Sequence, residues 1–278
     1  MYKISEHPIL DIPQEDLHAF EFEGKTVYGQ KGQSIAAALH QAGFPVHHHS
    51  LKERNRTMEC GIGKCGACEM IVDGHIRRIC ITKVDGVKEV HRTGEDSFYD
   101  VESPSASVAP KKVYKTTVAI IGAGPAGLAV REELLKAGVD CLVLDNNSAI
   151  GGQFRMQTHQ FFFFEKEKKF GGMRGFDIAE TLAGDSREGI LLDSVVWDIL
   201  EGKRLAVKNV ATQEIFYVDA DQLVVAAGAL PFMPAFKNDD LPGVYTAAVV
   251  QRMMNTEFTL LGKNILTVGA GNIGYLTS

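Results

Sequence analysis

Cys60, Cys65 and Cys68 stand in the order C-x4-C-x2-C, and Cys80 follows after eleven further residues. That spacing is the ligand run of a [2Fe–2S] cluster, with three thiolates from one tight loop and a fourth from an element beside it. A chain that must bring four sulfurs together has few ways to fold around them. The loop reads Cys60-Gly-Ile-Gly-Lys-Cys-Gly-Ala-Cys68; its glycines let the backbone wrap closely and aim N–H groups at the sulfurs. Structural zinc normally takes two CxxC-like pairs or Cys/His pairs, whereas here a lone CxxC follows a single earlier cysteine. Disulfide frameworks belong to short secreted chains, and nothing at this N-terminus resembles a signal peptide. Cys141 lies in the apolar run Val139-Asp-Cys-Leu-Val-Leu144 and reads as a buried strand residue.

The 278 residues are enough for two domains, and 45% hydrophobic with 23% charged residues is ordinary for a globular protein. The net charge of −6 gives no broad attraction to nucleic acid or to a membrane surface. Apolar stretches fall short of the ~18 residues of a membrane helix, so no membrane span is expected. Clustered cysteines without an export signal point to the reducing cytoplasm.

Residues 1–93 form one compositional unit. Phe20–Glu23, Gly24-Lys25 and Thr26–Tyr28 read as a β-hairpin, and Ser34 as the N-cap of a helix over 35–42 that ends at Gly43. After the cysteine loop, strands are expected over 69–73 and over 76–82, the latter carrying Cys80. Residues 94–113, rich in Pro and Ser, read as a linker. From 114 onward the pattern becomes βαβ: a strand over 117–121, the turn Gly122-Ala-Gly-Pro-Ala-Gly127, a helix over 128–137, and a strand over 141–144 closed by Asp145. A hairpin over 206–210 and 214–218, a buried strand over 222–226, and a last strand over 265–268 follow.

A GxGxxG run alone says little. Here it follows a strand, opens a helix, and has an acid twenty-one residues after Gly124. Gly122 permits the tight turn, Gly124 lets the backbone approach a pyrophosphate, and Gly127 lets helix pack on strand. The helix N-terminus stabilises the pyrophosphate charge, and Asp145 would accept hydrogen bonds from ribose hydroxyls. Gly151-Gly-Gln153 follows closely.

These motifs resemble the two-dinucleotide-binding flavoproteins, whose FAD site combines GxGPAG, an acid and GG(Q). Leu223–Ala229 followed by Pro231 is similar to their second flavin-contacting segment, and Gly269-Ala-Gly-Asn-Ile-Gly274 to the start of their inserted NAD domain. With the cysteine domain in front, and with Gly151-Gly-Gln-Phe, Gln157-Thr-His-Gln-Phe-Phe162 and Gly171–Ala179, the chain resembles the α-type subunits of heteromeric amino-acid and opine oxidases and dehydrogenases. These are the subunits of the sarcosine, octopine/nopaline, dye-linked proline and hydrogen cyanide synthase systems. The resemblance implies an α/β, three-layer, Rossmann-like FAD/NAD(P)-binding domain over 114–278, preceded by a small α+β, β-grasp ferredoxin-like domain. It implies iron at Cys60, Cys65, Cys68 and Cys80. It implies FAD at Gly122, Gly124, Pro125, Ala126, Gly127, Asp145, Asn146, Gly152, Gln153, Val196, Ala227 and Gly228. A second nucleotide, NAD(P) or another, falls at Gly269, Gly271 and Gly274. Too few residues follow Gly274 for a full βαβ unit, so the expectation is a truncated or split product whose NAD half breaks off from about 262.

In that family the amino acid is oxidised on a partner β subunit, a flavoprotein of D-amino-acid-oxidase type, and the α-type subunit receives or relays electrons. No CxxC dithiol lies near the flavin segment, and no nucleophile–base pair stands out, so no catalytic residue is assigned. The expected function is therefore electron relay in an FAD- and [2Fe–2S]-dependent oxidoreductase, with its electron acceptor unidentified. Two rivals are an NAD(P)H-dependent ferredoxin reductase with a fused ferredoxin, and a non-catalytic cluster-bearing assembly subunit. His47-His-His49 does not converge on a metal if extended, and reads as loop or packing. Phe161–Phe164 reads equally as core or as an interface patch, Glu165–Lys169 as a solvated face, and Trp197 as strand packing or as part of the strand passing the adenine.

Overall fold

The computed structural model describes residues 2–50, 52–93, 112–160, 170–269 and 271–277. It separates into two compact units, Met1–Asp100 with Leu230–Ser278, and Val101–Ala229. The linker expected over 94–113 falls outside the described residues except for its last two, and so do Phe161–Phe164 and Glu165–Lys169.

In the first unit, β1 (Leu17–Phe22) and β2 (Lys25–Gln30) form the expected hairpin. Its two turn residues, Glu23 and Gly24, both have positive φ (49° and 76°), the combination that matches the twist of a two-residue hairpin. Helix α1 (Ile35–Gln41) starts at Ser34, whose hydroxyl accepts from the Ala37 N–H at 3.3 Å. The short pair β3 (His48–His49) and β4 (Asn55–Arg56) precedes the cysteine loop, and β5 (Glu69–Val72), β6 (His75–Arg78) and β7 (Glu89–Arg92) follow it. The sheet runs β2-β1-β7-β5-β6, with β1 and β7 parallel and the remaining pairs antiparallel. α1 lies over it, burying Ile35–His40 with Phe20, Phe22, Met70 and Val90. This is the α+β ferredoxin-like arrangement expected. One detail differs: β6 stops at Arg78, so Cys80 sits in a turn rather than a strand. There the Ile79 N–H still donates to Cys68 O (3.2 Å), while its carbonyl accepts from Ala36 N–H at the head of α1 (3.1 Å).

The second unit holds β8 (Lys112–Ile121), α2 (Pro125–Lys136), β9 (Cys141–Leu144), α3 (Gly175–Ala183), β10 (Ile190–Leu191), β11 (Ser194–Leu200), β12 (Arg204–Asn209) and β13 (Ile215–Val225). Their order is β10-β9-β8-β13-β12-β11, parallel from β10 to β13 and antiparallel beyond. Ile120 packs with Leu128, Val143, Ile178 and Leu182, under the helices. Its neighbour Ala119 packs with Leu144, Leu205, Val207 and Val218. That alternation belongs to a strand buried on both faces. Cys141 is buried in β9, as expected. The hairpin and the separate strand over 222–226 are in fact joined, because β13 pairs with β12 in its first half and with β8 along its whole length. Val225 at its end is 67% exposed, so that stretch is not fully buried.

Residues 230–278 pack with the first unit. Helix α4 (Ala247–Asn255) inserts Val249 and Met253, four residues apart on one face, into the core around α1. Residues 265–268 are not a strand; Leu266 and Val268 are 89% and 91% exposed, and no neighbouring strand pairs with them among the described residues. An apolar run of this kind becomes a strand only between partners. The chain then turns into α5 (Asn272–Thr277).

Candidate functional site

The cysteine loop is built for thiolates. Cys60 Sγ faces the backbone N–H groups of Ile62 and Lys64 at 3.5 and 3.4 Å. The four thiols form one connected run, Cys65 to Cys60 to Cys80 to Cys68. Cys60 accepts from Cys65 and Cys80, which holds its thiol far below the usual range. Cys65 and Cys80, the donors, are pushed well up. Among the described residues, no three His, Cys, Asp or Glu side chains converge as around a single metal ion. Four thiols brought together in one run supply the two thiolates that each of two irons requires, so the residues fit a [2Fe–2S] cluster. Cys68 and Cys80 are buried, Cys60 is half-buried and Cys65 is exposed.

The three consecutive histidines do not converge. His48 is half-buried, His49 is exposed, and His47 is fully buried with its Nδ1 3.5 Å from Thr57 Oγ1. Burial, aided by nearby His40 and Arg92, pushes the His47 pKa down to about 3. The folded value lies below the unfolded one of 6.5, so stability is complete above that pH. It is lost as the pH falls toward 3, at up to ~1.4 kcal/mol per pH unit. Histidine C2-proton exchange read by mass spectrometry should therefore show no inflection for His47 between pH 4 and 8; one near 6.5 would mean that the ring is open to water.

In the second unit, four sequence-predicted segments meet at the C-terminal end of β8, where open α/β sheets bind ligands. The glycine turn leads into α2, whose first turn has no side-chain cap. Asp145, at the end of β9, is 6% exposed; its carboxylate accepts from Ala123 N–H (2.6 Å) and from the backbone and side-chain amides of Asn147 (2.7 and 2.8 Å). Both of its oxygens thus hold the loop, while Asn146 beside it is exposed. Gly151 N–H donates to Ala123 O (2.7 Å), a methyl on Gly152 would stand 3.0 Å from Gly124 Cα, and Ala226 N–H donates to Ile121 O (2.8 Å). β11 starts from the same place, Ser194 N–H donating to Asp145 O at 2.7 Å, which sets Val196 two residues on. Gln153, Ala227 and Gly228 lie exposed at the rim. A methyl on Gly124 would meet nothing within 4 Å. An open space over unpaired helix N–H groups is what a pyrophosphate needs, so these residues fit a dinucleotide. The cavity of about 820 Å³ lined by Lys115, Thr116, Asp140, Arg204 and Asp219 lies at the opposite strand ends and plays no part.

The second glycine turn repeats the first locally. Gly269 has φ 107° against 111° for Gly122, and a methyl on Gly274 would lie 2.6 Å from Gly269 O, as one on Gly127 would lie 1.9 Å from Gly122 O. Gly271 has open space around it, like Gly124.

A cysteine domain and a glycine-turn α/β domain in one chain define a flavin- and iron–sulfur-dependent oxidoreductase. The family model described as pyridine nucleotide-disulphide oxidoreductase matches residues 116–277, and the one described as 2Fe-2S iron-sulfur cluster binding domain matches residues 17–94. The chain belongs to the pyridine nucleotide-disulphide oxidoreductase family and carries a 2Fe–2S domain ahead of it. It is 25% identical over 172 residues to the sarcosine oxidase subunit alpha of Corynebacterium sp. strain P-1, covering 58% of this chain and 18% of that one. It is 27% identical over 180 residues to the glutamate synthase [NADPH] small chain of Mycobacterium tuberculosis, covering 59% and 33%. The crystal structure of L-proline dehydrogenase from P. horikoshii shares the fold, with a TM-score of 0.71 at 22% identity, over 94% of this chain and 49% of that one. The chain thus spans a third or less of these curated relatives and about half of the structural neighbour. Among the described residues no helix is long and apolar enough to cross a membrane.

Proposed function

We propose that the chain relays electrons within a heteromeric amino-acid or opine oxidase or dehydrogenase of the cytoplasm. In this reading the substrate is oxidised on a partner flavoprotein of D-amino-acid-oxidase type. The observation that carries it is the gathering of the four thiols, with N–H donors on Cys60, in the same chain as the open glycine turn. Cys60, Cys65, Cys68 and Cys80 would hold the irons. Gly122, Gly124 and Gly127, with Pro125 and Ala126 opening α2, would cradle the FAD pyrophosphate. Asp145 would orient that turn, leaving the exposed Asn146 to meet the ribose; Val196 would flank the adenine, and Gly152, Gln153, Ala227 and Gly228 the remainder of the flavin. Bound FAD exchanges electrons in pairs or singly and a [2Fe–2S] cluster one at a time, which suits a relay between a two-electron donor and a one-electron acceptor.

The test is anaerobic reconstitution of the full chain with iron, sulfide and FAD, followed by addition of a D-amino-acid-oxidase-like partner with sarcosine or L-proline. Two irons and one FAD per chain, both reduced only when partner and substrate are present, are expected. A chain that stays iron-free or flavin-free would sink the reading. The local geometry at Gly269 and Gly274 favours a second one, a reductase fed by NAD(P)H; rapid bleaching of the flavin by NADH alone would select it.

A further inference from the structure

Residues 244–261 follow the flavin-binding motifs in sequence, yet they are built into the cysteine domain. Thr246 Oγ1 caps α4 and donates to Glu59 O (3.4 Å), next to Cys60. Val249 and Met253 are 1% and 2% exposed, in the same core as Cys68 and Cys80. A methyl on Gly61 would lie 3.2 Å from Val249 Cγ2 and 3.7 Å from Arg252 Cδ, so α4 rests directly on the cysteine loop. The segment is anchored at its far end as well. Glu257, 5% exposed, accepts from Ser34 N–H at 2.9 Å, and Gln41 donates to Thr259 Oγ1 at 2.7 Å. On the loop's other side, Lys64 and Cys65 are exposed.

We propose that α4 is the cover of the cluster site. It closes the Cys60–Gly61 side of the loop against water and small molecules, and leaves electrons to pass on the side of Lys64 and Cys65. This rests on the cluster reading above, and wild-type iron content tests that reading separately: an iron-free wild type would refute the cluster itself, before any variant is compared.

The experiment follows iron release to a chelator from the reconstituted full chain. Val249→Ala is expected to speed release about tenfold, the effect of easing one local opening by ~1.4 kcal/mol. Val27→Ala is the control; it cuts the same core at β2, the sheet edge opposite β6, and should change release less than about twofold at a comparable loss of thermal stability. Gly61→Ala, strained at its φ of 64° as well as against Val249, should also speed release, and the double variant should release more slowly than the product of the two effects predicts, because the space left at Val249 removes the second of those strains. The exposed side is read with ferricyanide, which takes one electron from the reduced cluster to give ferrocyanide. Lys64→Glu should slow that step several-fold at low salt by repelling the anion. Equal release from Val249→Ala and Val27→Ala, strict additivity in the double variant, or an unchanged ferricyanide rate in Lys64→Glu would each overturn the proposal.

Discussion

A Gly127→Ala chain is expected to bind FAD about a hundredfold more weakly and to unfold its second unit several degrees lower. The added methyl would sit 1.9 Å from Gly122 O, 3.1 Å from Gly122 C and 3.3 Å from Ile120 Cγ2. The two nearest atoms are backbone, so no side-chain rotation relieves the clash, and α2 must move away from β8. Overpacking of this kind costs ~1–3 kcal/mol. The displacement also swings the first N–H groups of α2 off the line a pyrophosphate would take; two decades of affinity correspond to ~2.7 kcal/mol. Gly124→Ala separates the two effects. Its methyl meets nothing within 4 Å and its φ of −76° is open to any residue, so the fold should keep its thermal midpoint. The methyl does, however, fill the space assigned to the pyrophosphate. Flavin-fluorescence titration with thermal melting should thus show Gly127→Ala losing both affinity and stability, and Gly124→Ala losing affinity alone. Wild-type affinity in Gly124→Ala would show that the dinucleotide lies elsewhere.

These positions were legible in the sequence because the constraints on them are local. A strand, a tight turn and a helix that must pack back on the strand leave Gly122 and Gly127 no alternative within a few residues of chain. The β1–β2 hairpin, with its turn expected one residue later at Gly24-Lys25, and the Ser34 cap follow from equally short-range rules. What escaped was decided by distant partners. No element is expected from the sequence over 247–255; Val249 and Met253, four apart after the capping Thr246, lie on one apolar face of α4, and nothing within that helix says that the face meets α1 and Gly61. The run over 265–268 has the composition of a central strand, yet strand formation needs neighbours that local composition does not supply. Asp145 was read correctly as the acid closing β9. Its lone pairs go to Asn147, two residues on, and to Ala123 in the glycine turn beside it, which spacing from Gly124 alone does not reveal.

Replacing Cys80 by alanine is expected to leave a chain with no [2Fe–2S] absorbance and no EPR signal after anaerobic reconstitution and reduction. Cys141→Ala should retain about two irons, the content of the [2Fe–2S] site. The comparison is informative because burial does not distinguish the two: Cys80 is 2% exposed and Cys141 7%. What differs is company. Cys80 touches both Cys60 and Cys68, so its removal breaks the run of thiols and would leave one iron a ligand short. Cys141 sits in β9 among Val118, Leu128 and Val143, where alanine costs only apolar contact. Cys65→Ser removes a thiolate at the exposed end and should likewise abolish the reduced-state signal. Because metal binding is coupled to folding, the Cys80→Ala loop over 60–68 should also become the first site of proteolysis in the first unit, while its β1–β2 hairpin stays protected. Iron retained at the wild-type level in Cys80→Ala would remove the turn after β6 from the cluster site.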